Sequence, residues 1–118
     1  MIEVGIHEGT LTVFFAPWTR PFTRTDAVRV PLEAIAEAHH LDRPLTAATG
    51  VHSGLLVSGF AKVGTWTSLK GVRRLVAARR GVPGLRIVLK GRVAGYDELI
   101  LSVRDAGEIR RHLAAVLT

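Results

Sequence analysis

The chain has no cysteine. Disulfides, thiol catalysis and thiolate metal centres are therefore excluded, and nothing calls for an oxidising compartment. No apolar run approaches the ~18 residues that a membrane-spanning helix needs. The opening MIEVGIHEG has no basic region and no apolar core, so it does not read as a secretory signal. A cytoplasmic location is the expectation. One further absence is local: from Gly59 to Arg92 there are nine Lys or Arg and no Asp or Glu.

What is present points to one globular domain over residues 1–118. Apolar residues make up 47% of the chain, enough for a single core. The formal charge is +6, and residues 59–94 hold the whole excess, because the segments on either side are slightly acidic. An anionic partner is therefore sought in that segment.

The runs IEVGIH and TLTVFF alternate in polarity around Glu8-Gly9, which predicts a hairpin. Residues 16–26 read as a loop with two prolines, and VRV as a short strand ending at Pro31. PLEAIAEAHHL fits a helix by composition and a strand by alternation. DRPLTAATGVHSG reads as irregular. VGTWT, VRRLVAAR, LRIVLK and ELILSV predict a four-stranded antiparallel meander. Within it, Val82-Pro83-Gly84-Leu85 has the residues of a type II turn. At the C-terminus, Asp105 and Glu108 can form a capping box. Ile109, Leu113, Val116 and Leu117 then make one helical stripe.

The lone Trp18 after the first hairpin is followed by VRVPLEAI, GFAKVGTW, GVRRLVAARRG, LRIVLKG and YDELILSVRDAGEI. In that order they resemble small bacterial, actinobacterial-type, proteins with a pleckstrin-homology-like fold. The resemblance implies a mainly β protein: a barrel of two antiparallel sheets capped by one C-terminal α-helix. It also implies that residues 31–41 form a turn and then a strand. Relatives that bind phosphoinositides carry bases around the first hairpin. Here IHEGT offers an acid and no base, so that headgroup site is not expected.

Alternation along the predicted strands places the basic charges. A two-residue turn at Pro83-Gly84 puts Val76, Ala78, Ile87 and Leu89 on the core face. Arg73 and Arg79 then lie beside Arg86, Lys90 and Arg92 on the opposite face. A four-residue SLKG loop adds Trp66 to that face, opposite Arg73; a loop one residue longer or shorter turns Trp66 inward. Arg74 and Arg79 would be about 17 Å apart at ~3.3 Å per residue, too far to share one phosphate. A flat polyanion or a charged bilayer could touch the whole face. A solvated exterior is the plainer alternative, though such surfaces normally mix charge signs.

Nothing in the sequence points to catalysis or a cofactor. His39 and His40 are adjacent and face apart on a strand, and His7, His52 and His112 are dispersed. Asp97 and Glu98 likewise oppose each other and make no acid–base pair. No phosphate-binding loop is spelled out. The leading expectation is a non-enzymatic module for protein contacts or self-assembly, because Leu75-Val76-Ala77-Ala78 is apolar on both faces and its second face can be covered by an edge of the same chain or by another subunit. The second is peripheral attachment to anionic lipid at the inner membrane face through Arg73, Arg79, Arg86, Lys90 and Arg92. The third is nucleic-acid binding with Trp66 as a stacking platform.

Overall fold

The computed structural model describes residues 1–117. Glu8 and Gly9 both take positive φ, 49° and 75°. They form the two-residue turn that suits a twisted hairpin, and they join β1 (Ile2–His7) to β2 (Thr10–Phe15), as the alternation predicts. A loop holding the single helical turn α1 (Arg20–Thr23) leads to β3 (Ala27–Pro31). Threonines tie that loop to itself: Thr19 Oγ1 donates to the Ala16 carbonyl at 2.7 Å and Thr23 Oγ1 to that of Thr25 at 2.9 Å. The first sheet has the order β1-β2-β3.

Pro31 ends β3, and a turn over Leu32–Ala34 leads into β4 (Ile35–Leu41). The strand reading of this stretch holds, because pairing with a neighbour overrides a short helix preference. Next come α2 (Pro44–Ala47), β5 (Val51–Val57), β6 (Ala61–Thr67), β7 (Arg73–Arg79), β8 (Gly84–Val93), β9 (Tyr96–Ser102) and α3 (Ala106–Leu117). β5 is a correction, since the sequence predicts irregular structure as far as Gly54.

The second sheet has the order β4-β8-β9-β7-β6-β5. The predicted meander is therefore wrong. β9 lies between β7 and β8, parallel to β7 and antiparallel to β8. The physical reason lies in the side chains. Leu75 to Ala78 and Leu99 to Leu101 are buried without a break, so both strands have apolar groups on both faces. Such strands belong inside a sheet, with both faces covered. The type II turn also fails: Gly84 lacks the positive φ it requires, whereas Gly81 has φ 82°. A side chain at Gly84 would meet Pro44 Cβ at 2.5 Å, so this glycine serves close packing.

The main core lies between the two sheets and α3. Phe15, Val30, Leu75, Ile87, Leu99 and Leu113 are among its buried residues. A smaller core lies on the other face of the six-stranded sheet: Trp66, Val76, Ala78 and Ile100 pack against Ala48, with Leu45 and Ala47 at its border. The residues before β5 thus cover the second apolar face of β7, and the cover comes from the same chain. On α3, Ile109 and Leu113 are buried but Val116 points out, so the predicted stripe is narrower than the sequence reading. The protein is mainly β: the described residues form a three-stranded sheet, a six-stranded sheet and a C-terminal helix, and no closed barrel.

Candidate functional site

The expected basic face is not assembled. With β9 between β7 and β8, Arg73 and Arg86 fall on opposite faces of the sheet. Leu75 and Ala77, two and four residues beyond Arg73, join the main core, while Arg86 lies opposite Ile100 of the smaller core. Val76 and Ala78 likewise part company with Ile87 and Leu89.

Trp66 is the second correction. Ser68 Oγ accepts the N–H groups of Lys70 at 3.2 Å and Val72 at 3.1 Å. This organises a five-residue loop, and the pairing becomes Thr67 with Arg73 and Trp66 with Arg74. The shift of one position turns Trp66 inward, where it is 2% exposed. His52 stacks on its ring with centroids 5.0 Å apart. A base cannot stack there as well.

Most of the nine bases have structural partners. Lys62 Nζ donates to the carbonyls of Leu45 at 2.9 Å and Ala48 at 2.6 Å, clamping the segment over the smaller core. Arg74 donates to Glu98 Oε2 at 2.8 Å and to the Thr49 carbonyl at 3.1 Å. Arg86 donates to Glu98 Oε1 at 2.6 Å, while its buried Nε has no acceptor. Burial pushes the Glu98 carboxyl up, but the hydrogen bonds and charges of Arg86 and Arg74 outweigh this and hold it below the usual carboxylate range.

Asp97, on the opposite face, accepts from the Arg73 N–H at 2.9 Å and from Arg92 Nε at 3.3 Å. Arg73 lies over the Tyr96 ring and Arg80 over Phe60. Arg79 stands at the far end of β7, beside a cleft of about 350 Å³ that Arg43 and Arg80 also line. Of the nine bases, Arg74, Arg86 and Arg92 form ion pairs; Arg79 and Lys90 are among those that form none with the described residues. For three of the nine bases the missing acids are supplied by Asp97 and Glu98 of the adjoining strand. Their opposed facing was legible in the sequence; their pairing with arginines was not.

The surface that stands out is one sequence reasoning missed. β4, at one edge of the six-stranded sheet, packs against α3. β5, at the other edge, pairs with β6 on one side alone. Six of its seven residues are exposed. Val51, Leu56 and Val57 stand out to solvent, and Phe60 follows in the next turn. No Asp, Glu, Lys or Arg occurs between Arg43 and Lys62. Sheet edges are usually protected by Lys, by Pro or by a covering element; β5 has neither residue, and the short α1 that packs near it leaves six of its seven residues exposed. The signal that could have located it is the uncharged VHSGLLV closed by Ser58-Gly59.

Among the described residues no group of three or more His, Asp or Glu side chains is placed to hold a metal ion, and no helix is long and apolar enough to cross a membrane. No protein-family model, curated protein or solved structure matches the chain.

Proposed function

We propose that this chain is a non-catalytic interaction module that binds by accepting an additional strand at β5. The observation that supports it is the open edge Val51–Val57, uncharged and largely exposed. An unpaired strand offers main-chain donors and acceptors in a row, and alternate side chains give selectivity. A selection of displayed seven-residue peptides against the protein tests this. Sequences with alternating apolar residues should emerge, and Leu56→Lys should weaken them at least ~10-fold. Leu56 is 45% exposed, so this change should leave the fold intact. A selection that enriches nothing would retire the reading.

The pleckstrin-homology-like resemblance belongs to the same proposal at the level of plan. Two sheets on a common core with a C-terminal helix support it. The parallel β7–β9 pair and the absence of closure depart from the antiparallel barrel it implies.

One observation favours contact with anionic lipid as a second reading. Leu69, at 101% exposure, stands beside Lys70 in the β6–β7 loop. Arg92 donates to the Gly71 carbonyl of that loop at 3.0 Å, bringing the Lys90–Arg92 end of β8 to the same place. Each base near an anionic surface contributes ~1 kcal/mol, screened by salt. Vesicles containing phosphatidylserine should pellet the protein at low salt, and Lys70→Glu with Lys90→Glu should release it. Equal pelleting with neutral vesicles would dismiss this reading.

A further inference from the structure

The structure points to a second copy of this chain as the occupant of the β5 edge, joined by a two-fold axis centred on Gly54. This rests on β5 being a strand-accepting edge, and it names the partner. Charge is the first argument. Two copies that each carry a formal charge of +6 repel over most of their surfaces. The stretch between Arg43 and Lys62 carries no such charge, so the paired strands themselves bring no like charges together; the neighbouring cations Lys62, opposite Leu56, and Arg80, over Phe60, lie behind the edge.

Symmetry is the second argument. An antiparallel strand pair about a two-fold axis normal to the sheet keeps like faces together. Opposed residues must then lie on the same face of their own strands. Of the registers this allows, the one centred on Gly54 pairs all seven residues of β5; a slide of two positions loses two of them. In the centred register Val51 meets Val57, His52 meets Leu56, and the small Ser53 meets Leu55. Within the chain Gly54 already lies opposite Gly64, so neither strand of that pair has a side chain at the centre. The β5–β6 ladder runs from Val51–Thr67 to Val57–Ala61 without a register shift, and Gly54 at its centre takes φ 142°, a conformation open to glycine. The result is a closed pair in which the two six-stranded sheets become one.

The chain has no cysteine, so an introduced thiol stands alone. Directly opposed residues of an antiparallel pair have Cα atoms ~4.5–5.5 Å apart, within disulfide reach. Under mild oxidation, a mixture of S53C and L55C chains should cross-link at least ~10-fold more than either alone. H52C with L56C is a second pair, on the other face. Light scattering of the wild-type chain from about 1 to 500 µM should show a concentration-dependent dimer, and Leu56→Lys should abolish it. A wild-type chain that stays monomeric throughout, a dimer that survives Leu56→Lys, or cross-linking without preference for the mixed pairs overturns the inference. If the chain is monomeric yet the selected peptides bind in a Leu56-dependent way, the edge keeps its role and the second copy is rejected. If neither occurs, both fall.

Discussion

Glu98→Ala should destabilise the fold by about 3 kcal/mol, because it strands two guanidinium groups that share one carboxylate. Glu98 is 5% exposed and accepts from Arg74 and Arg86 together. Removing one member of a buried ion cluster leaves charge without compensation, which costs about 3–5 kcal/mol. The lower end applies because the Arg86 side chain is partly exposed and water screens its charge. Arg86→Met should accordingly cost about 1 kcal/mol. The double change Arg74→Met with Glu98→Leu should recover part of the single loss, since it removes two of the three charges and leaves unpaired only the partly exposed Arg86. Urea unfolding at neutral pH measures all four proteins. Equal stability of Glu98→Ala and wild type would mean that the cluster contributes nothing.

The same carboxylate sets a pH dependence. Its folded-state pKa lies below the ordinary 4.5. The stability it contributes is therefore complete above the unfolded-state value and is lost as the pH falls through the folded one. Glu98→Gln cannot titrate. The gap between wild type and Glu98→Gln should be widest near neutrality and should close below about pH 4.5. A gap that widened with acid would reverse the assigned sign.

Local features of this fold were legible where a short-range rule governs them. The first hairpin follows from two residues that accept positive φ, and α3 from spacing and composition. The second sheet was not legible, because its order depends on which strand reaches the interior. The apolar stretches Leu75–Ala78 and Leu99–Leu101 carried the clue: each needed a cover on both faces and a neighbour on both edges. Sequential pairing across Pro83-Gly84 was the simpler reading, and it placed Arg73 beside Arg86. The carboxylates that neutralise the arginines come from β9, a strand that a meander keeps away from β7. Trp66 shows how small the decisive signal can be. Two hydrogen bonds to Ser68 Oγ lengthen one loop by one residue and reverse the face of a whole strand.

That reversal leads to the second large effect. Trp66→Ala should cost about 3–5 kcal/mol, the range for truncating a buried aromatic side chain. The ring fills the smaller core under Ala48, and the loss should be concentrated there. Lys62 and Arg74 would still hold residues 45–49 by their carbonyls, but with the ring gone that segment should loosen before the main core unfolds. A Trp18→Phe chain isolates the signal, since Trp66 is then the one tryptophan. Its emission should be blue-shifted and shielded from iodide in the folded protein. Single-stranded DNA should leave it unchanged, because the ring is covered by the chain and by His52. Quenching by DNA in the folded state would reopen the stacking role and imply that the segment lifts. Trp66 also ties this core to the proposed edge, because His52, which stacks on it, is a residue of β5. Trp66→Ala should therefore weaken pairing at β5 as well as stability, whereas Leu56→Lys should weaken pairing alone. Different ratios of these two losses would separate a strand that binds through its exposed side chains from one that is merely held in place by the core beneath it.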